Sequence, residues 1–226
     1  MIISHQGETP RIALSAYVAP NAAICGDVTI GEHCRIMHGA QIIAEGGEIA
    51  IGNECIIMEN SVLRSNTRHS LSIGNNCLIG PNAHVVGCQV EDQVFIATGA
   101  AIFHGAKVGR GSEVRVNGIV HLKTSLPAGT IVPIGWVAVG DPATILPPDQ
   151  HENIWSIQES LNFPLTVYGI DRSEVDMVKI TRRVIEALAS HVSDEIVSNG
   201  TMNKSSDGVA AGREEGGSDV DDRAQH

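Results

Sequence analysis

The chain has ten histidines and five cysteines, the side chains best able to hold an ion or move a proton. His104, in Phe103-His104-Gly105, and His121 are the candidate metal ligands. They fall on one face of consecutive coils of the repeat described below, so two imidazoles on one wall could share a divalent cation such as zinc. Thr98 and Asn117 are the candidates for a third donor. Alternatively His104, or His69 in a loop, could act as a general base, because imidazole titrates near neutral pH. His84 follows Ala83 at a corner of the repeat and reads as a surface or interface histidine. Cys34, Cys55 and Cys77 recur at a repeat position that takes small residues throughout. They read as buried small side chains rather than metal thiolates or a disulfide. An odd number of cysteines without CxxC spacing points to free thiols in a reducing compartment.

The elements that position these side chains follow from a strict period of six. Aliphatic residues recur at Ile12, Val18, Ile24, Ile30, Ile36 and Ile42, then at Ile51, Ile57 and Leu63, then at Ile73, Ile79 and Val85. After a five-residue step they continue from Val90 through Ile96, Ile102, Val108, Val114, Val120 and Leu126 to Val132. A small residue commonly stands four places later, as at Ala22, Cys34, Ala40, Ser61, Ala83, Ala100 and Ser112. This period fits neither an α-helix nor a long alternating strand. It fits a short strand and a tight turn, three such units closing one triangular coil, with coils stacked ~4.8 Å apart. The aliphatic residue points into the prism and the small residue fills the corner. Glycine after the aliphatic, as in Ile30-Gly31, Ile51-Gly52 and Ile79-Gly80, is expected to relax φ at the turn. Two interruptions, at Glu45-Gly46-Gly47 and Ser65–Ser70, read as loops leaving the prism.

Composition agrees with a narrow interior. Hydrophobic residues are 42% of the chain, but aromatics are only 3%, and glycine numbers 24 of 226. Residues 1–148 carry 8 Lys/Arg against 11 Asp/Glu, a net −3; residues 149–226 carry 7 against 15, a net −8. An acidic surface repels phosphate backbones, so nucleic acid is not an expected partner. No apolar run is long enough for a membrane span, nor is the N-terminus for a secretory signal, so the expectation is a cytoplasmic protein without a membrane partner. Past Pro133 the repeat fades. His151–Leu161 reads as a short helix, and Ser173 to about Val197 as a longer amphipathic one that packs on the prism or on a neighbouring subunit. The polar, glycine-rich stretch 199–226 reads as a disordered acidic tail.

The hexads resemble those of the hexapeptide-repeat superfamily, and within it the γ-class carbonic anhydrase-like proteins. Three stretches carry the resemblance: Ala19-Pro20-Asn21-Ala22 with Gly26–Gly31, Ile79–Ala83 to Gly87-Cys88, and Gly140-Asp141-Pro142-Ala143. The five-residue step from Val85 to Val90 is a further shared feature. The resemblance covers residues 10–148 and implies a left-handed parallel β-helix there, assembled as a homotrimer with any active site between adjacent prisms; the helical extension read from its own spacing occupies 149–198. It also implies three histidine ligands for zinc or iron, but the matching positions here are Arg64, Pro81 and Val86. Met58 stands where the family has Gln, and Glu59 where it has Asp. None of the family's zinc or iron is therefore expected at the usual site.

Three functions follow as expectations. The first is a catalytically silent γ-carbonic anhydrase-like trimer acting as a binding or scaffold protein, with a protein partner taken by the C-terminal helix or tail. In its favour, Ile42–Gly52 is similar to the corresponding turn of the dynactin pointed-end subunits. The second is an acyltransferase using acyl-CoA at the subunit interface, although the sequence displays no basic patch for the CoA phosphates. The third is a metal-dependent hydratase with a site relocated to His104 and His121.

Overall fold

Each hexad folds as a strand of two or three residues followed by a turn, and strands three hexads apart pair in parallel. The computed structural model describes residues 1–198; the tail expected to be disordered, 199–226, lies outside the described residues. The coils form a left-handed parallel β-helix whose walls are two seven-stranded sheets and one ten-stranded sheet. Inward aliphatics lie in register, as in Ile57↔Ile79↔Ile96 on one wall and Leu63↔Val85↔Ile102 on another. Nearly all are inaccessible, with Ile24, Ile36, Ile42, Ile79 and Ile102 at 0% exposure.

The small residues occupy the corners. Cys34, Cys55 and Cys77 are buried and free, and each thiol donates to a carbonyl one coil on: Gly52 at 3.0 Å, Gly74 at 3.0 Å and Glu91 at 3.1 Å. The expectation about the post-aliphatic glycine is corrected. The left-handed backbone falls two residues later, at His33 after Gly31 and at Asn82 after Gly80. What demands glycine is the next coil. A Cβ on Gly31 would sit 2.6 Å from the Gly52 carbonyl oxygen, and one on Gly80 would sit 2.7 Å from the Ala97 carbonyl carbon. The two interruptions do not leave the prism as open loops. They lengthen two strands, Gln41–Glu45 and Val62–Asn66, which pair along their whole length before turning back.

The C-terminal extension runs from the last coil back to the first. Helix α1, His151–Gln158, buries Ile154 against Val137 and Val139 of the last coil. A further helix, α2, Phe163–Tyr168, is capped by the Asn162 side chain and stopped by left-handed Gly169; its Leu165 carbonyl accepts from Arg68 at 3.2 Å. The expected long helix to Val197 is corrected: α3 spans only Met177–Leu188, and it has no buried residue. Asp176 caps its start, and a 3₁₀ turn, Ala189–Ser193, ends it. The chain then becomes a strand, Glu195–Ser198, which pairs antiparallel with Ile2–Ser4 and covers the open edge of the first coil. The β-branched pair Ile196-Val197 favours that strand over another helical turn. Among the described residues no helix is long and apolar enough to cross a membrane.

Candidate functional site

The outward positions of the ten-stranded sheet carry the candidate residues. Register places Cys25, Ile43, Arg64 and Val86 in one column, and the backbone bonds of Phe103 and His121 to successive coils continue it. Arg64 is engaged: its Nη2 donates to Glu45 Oε1 at 2.6 Å, and that carboxylate lies 3.1 Å from His191 Nε2 of the C-terminal extension. Val86 is 5% exposed and offers no donor atom. Pro81 sits in a turn, where its carbonyl accepts from Gly99 at 3.0 Å, and its side chain has no lone pair to give. This donor set does not fit a three-histidine metal centre. The permanent cation of Arg64 would oppose an ion at the first position.

A row of imidazoles lies beside these positions. His69 and His104 meet edge to face, with ring centroids 5.3 Å apart, and His121 packs against Phe103 at 5.7 Å. The Nδ1 atoms of His69, His104 and His121 are buried without a hydrogen-bond partner. Gly87 makes the approach possible: it is left-handed, and a Cβ there would lie 2.6 Å from His69 Cβ and 2.9 Å from His104 Cδ2. Burial, then the charges of His69, His84 and Arg64, push His104 down to about 4. His69 is lowered by burial and by Lys123 and Arg68, His84 by burial and Arg64, and His121 by burial. These imidazoles are thus neutral near pH 7 and can accept a proton.

The sequence-derived pair is separated by its partners: His104 meets His69, whereas His121 meets Phe103. Among the described residues neither belongs to a group of three or more convergent His, Cys, Asp or Glu donors. Thr98 and Asn117 stack at a corner, where the Asn117 N–H donates to the Thr98 carbonyl at 3.0 Å. His84 is exposed, in register with the half-buried Val62 and Ala101 on the neighbouring strands. Arg64, Arg68 and Lys123, scattered in sequence, come close enough for their charge to weigh on the row. Sequence reading also passed over a second cluster, His5, Cys25, His191 and Asp194, whose members come from opposite ends of the chain. No spacing within the chain signals it.

Comparison with known proteins adds the following. A family described as "Hexapeptide repeat of succinyl-transferase" matches residues 70–104. Gamma carbonic anhydrase 1, mitochondrial, of Arabidopsis thaliana is 33% identical over 159 residues, covering 68% of this chain and 56% of that protein. A carbonic anhydrase of Geobacillus kaustophilus is 32% identical over 111 residues, covering 49% of this chain and 61% of that one. The chain thus spans little more than half the length of these relatives. Among solved structures, a putative acetyltransferase of Bacillus cereus is 19% identical, covering 84% of this chain and 98% of that one, with a TM-score of 0.49.

Proposed function

Because the chain belongs to the hexapeptide-repeat superfamily, among its γ-carbonic anhydrase-like members, we propose that it is a trimer of that family in which the metal centre has been lost and which acts as a binding or scaffold protein. The observation that carries this reading is the donor set at the family's ligand positions. Arg64 is tied to Glu45, Pro81 has no donor, and Val86 is buried hydrocarbon. A cation and two side chains without lone pairs cannot hold the ion that makes a hydroxide near neutral pH. Trimer formation is supported by a seven-stranded wall on which Ile56, Phe95 and Ile131 lie in one register column at 37%, 40% and 45% exposure. The net charge of −11 and the exposed Val178 and Ile185 of α3 suit a protein partner. The five free, buried cysteines suit a reducing compartment such as the cytoplasm. With zinc supplied during expression, CO₂ hydration by the purified protein should stay at the uncatalysed rate, and sedimentation equilibrium should give three times the 23.9 kDa chain. Turnover above background would sink the silent reading, and a monomer the trimeric one.

A second reading is favoured by the neutral His104 with its unpartnered Nδ1, in contact with His69, on which the charges of Arg68 and Lys123 bear. A half-buried neutral imidazole can take the proton of an attacking hydroxyl or amine, and the cations Arg68 and Lys123 can receive the phosphates of an acyl-CoA. Acetyl-CoA at 100-fold over its dissociation constant would stabilise the native state by about 2.7 kcal/mol. A melting temperature unmoved by millimolar acetyl-CoA removes this reading.

A further inference from the structure

The segment that returns to the first coil builds a second polar cluster, away from the histidine row. The 3₁₀ turn Ala189–Ser193 has three residues per turn, so His191 and Asp194 project to the same side. There they meet His5, just past strand Ile2–Ser4, and Cys25, the last residue of strand Ala23–Cys25. Asp194 bridges the edges of the two imidazoles, with Oδ1 2.6 Å from His5 Nδ1 and Oδ2 2.7 Å from His191 Nδ1. Cys25 Sγ lies 4.0 Å from Asp194 Oδ2, and the two rings stack with centroids 4.3 Å apart. One donor atom from each of the four residues falls within 4.8 Å of all the others.

A plain hydrogen-bond network does not account for all of this. His5 is 2% exposed, yet only one of its ring nitrogens has a partner, since Nε2 is buried with none. Buried polar atoms are rarely left so. The Cys25 thiol, 3% exposed, has only the distant Asp194 oxygen to address. Two imidazoles, a thiol and a carboxylate form a donor set that tetrahedral zinc accepts, whereas hard cations such as calcium or magnesium take all-oxygen sites. Bonds of about 2.0–2.3 Å hold tetrahedral donors roughly 3.3–3.8 Å apart. That range lies between the 2.6 Å and 4.8 Å extremes seen here. A thiolate and a carboxylate also neutralise a divalent ion, so the half-buried site would carry no net charge.

The supporting groups point the same way. Metal-binding histidines usually give their outer N–H to a carboxylate, which fixes the tautomer. Glu45 lies 3.1 Å from His191 Nε2 through both oxygens, and Arg64 holds Glu45 in turn at 2.6 Å. We propose that His5, Cys25, His191 and Asp194 bind one divalent cation of the zinc class, which fastens strand Glu195–Ser198 to the first coil. The site shares no residue with Arg64, Pro81 and Val86, and its ion has a structural role.

The test uses the full-length protein, stripped with chelator and titrated with Co²⁺ alone. One equivalent should bind, giving the strong visible absorption of tetrahedral cobalt and a thiolate-to-cobalt charge-transfer band, both removed by Zn²⁺. Cys25→Ser should abolish the charge-transfer band. Glu45→Gln should keep the band and weaken cobalt binding about 10- to 100-fold. The double variant His104→Ala/His121→Ala should bind as the wild type does. Wild-type protein that takes up no cobalt, or binds it without a thiolate band, overturns the proposal whether or not any variant folds. A band that persists in Cys25→Ser overturns it equally.

Discussion

Ile79→Ala is expected to lower the unfolding free energy by about 2–5 kcal/mol, the range for emptying a fully buried aliphatic site. Ile79 is at 0% exposure and lies directly between Ile57 of the coil before and Ile96 of the coil after. The hole opened by the substitution cannot be filled by sliding a neighbour, because each neighbour is held in register by its own backbone pairs at ~4.8 Å spacing. Denaturant midpoints with an unchanged m-value provide the measurement. Leu14→Ala, at a position 85% exposed, should stay within about 0.5 kcal/mol of the wild type. Equal losses for the two would mean that the inward column does not carry the stability.

The second large effect is acid sensitivity. His69, His84, His104 and His121 all have folded-state pKa values below the ordinary 6.5, and burial is the leading cause in each case. For His104 the folded value is about 4. Between 6.5 and 4 the unfolded chain therefore holds more protons at this site than the folded chain. Stability from this source is complete above about pH 6.5 and falls as the pH drops toward 4, by about 1 kcal/mol per pH unit for His104 alone. His191 works in the opposite direction, since the Asp194 hydrogen bond raises it. The decisive quantity is accordingly the difference between wild type and His104→Asn in urea midpoint, followed from pH 7.5 to 4.5. The wild type should lose stability faster. Parallel curves would mean that His104 stays solvated.

The prism was legible because its rule is local: a hexad puts an aliphatic residue inward and a small one at the corner wherever it occurs. The Cys34, Cys55 and Cys77 column likewise read as buried small side chains, and all three are buried at the corners. The post-aliphatic glycines were found for the wrong reason, because the neighbour that demands them is one coil away and no local propensity reports it. The C-terminal region was less legible. Val184, Ile185, Leu188 and Val192 keep helical spacing, yet the helix stops at Leu188, where His191 and Asp194 turn to tertiary partners. The histidine row was half visible: His104 and His69 stood out as candidates, but their meeting depends on Gly87. The cluster around His5 was invisible, since His5 and Asp194 are 189 positions apart.

That separation also fixes an order of assembly. Coil-to-coil bonds span short stretches of chain, 18 residues from Cys34 to Gly52 and 22 from Asn53 to Asn75. Each coil can therefore add to the one before at small entropic cost, in the manner of a one-dimensional zipper. The pairing of Ile2–Ser4 with Glu195–Ser198 has no such intermediate and must wait for the whole stack. The last strand to dock is also the first able to leave. Its amides should exchange with solvent by a local opening that spares the amides deep in the stack. During each such excursion the protein briefly exposes a bare strand edge to other chains.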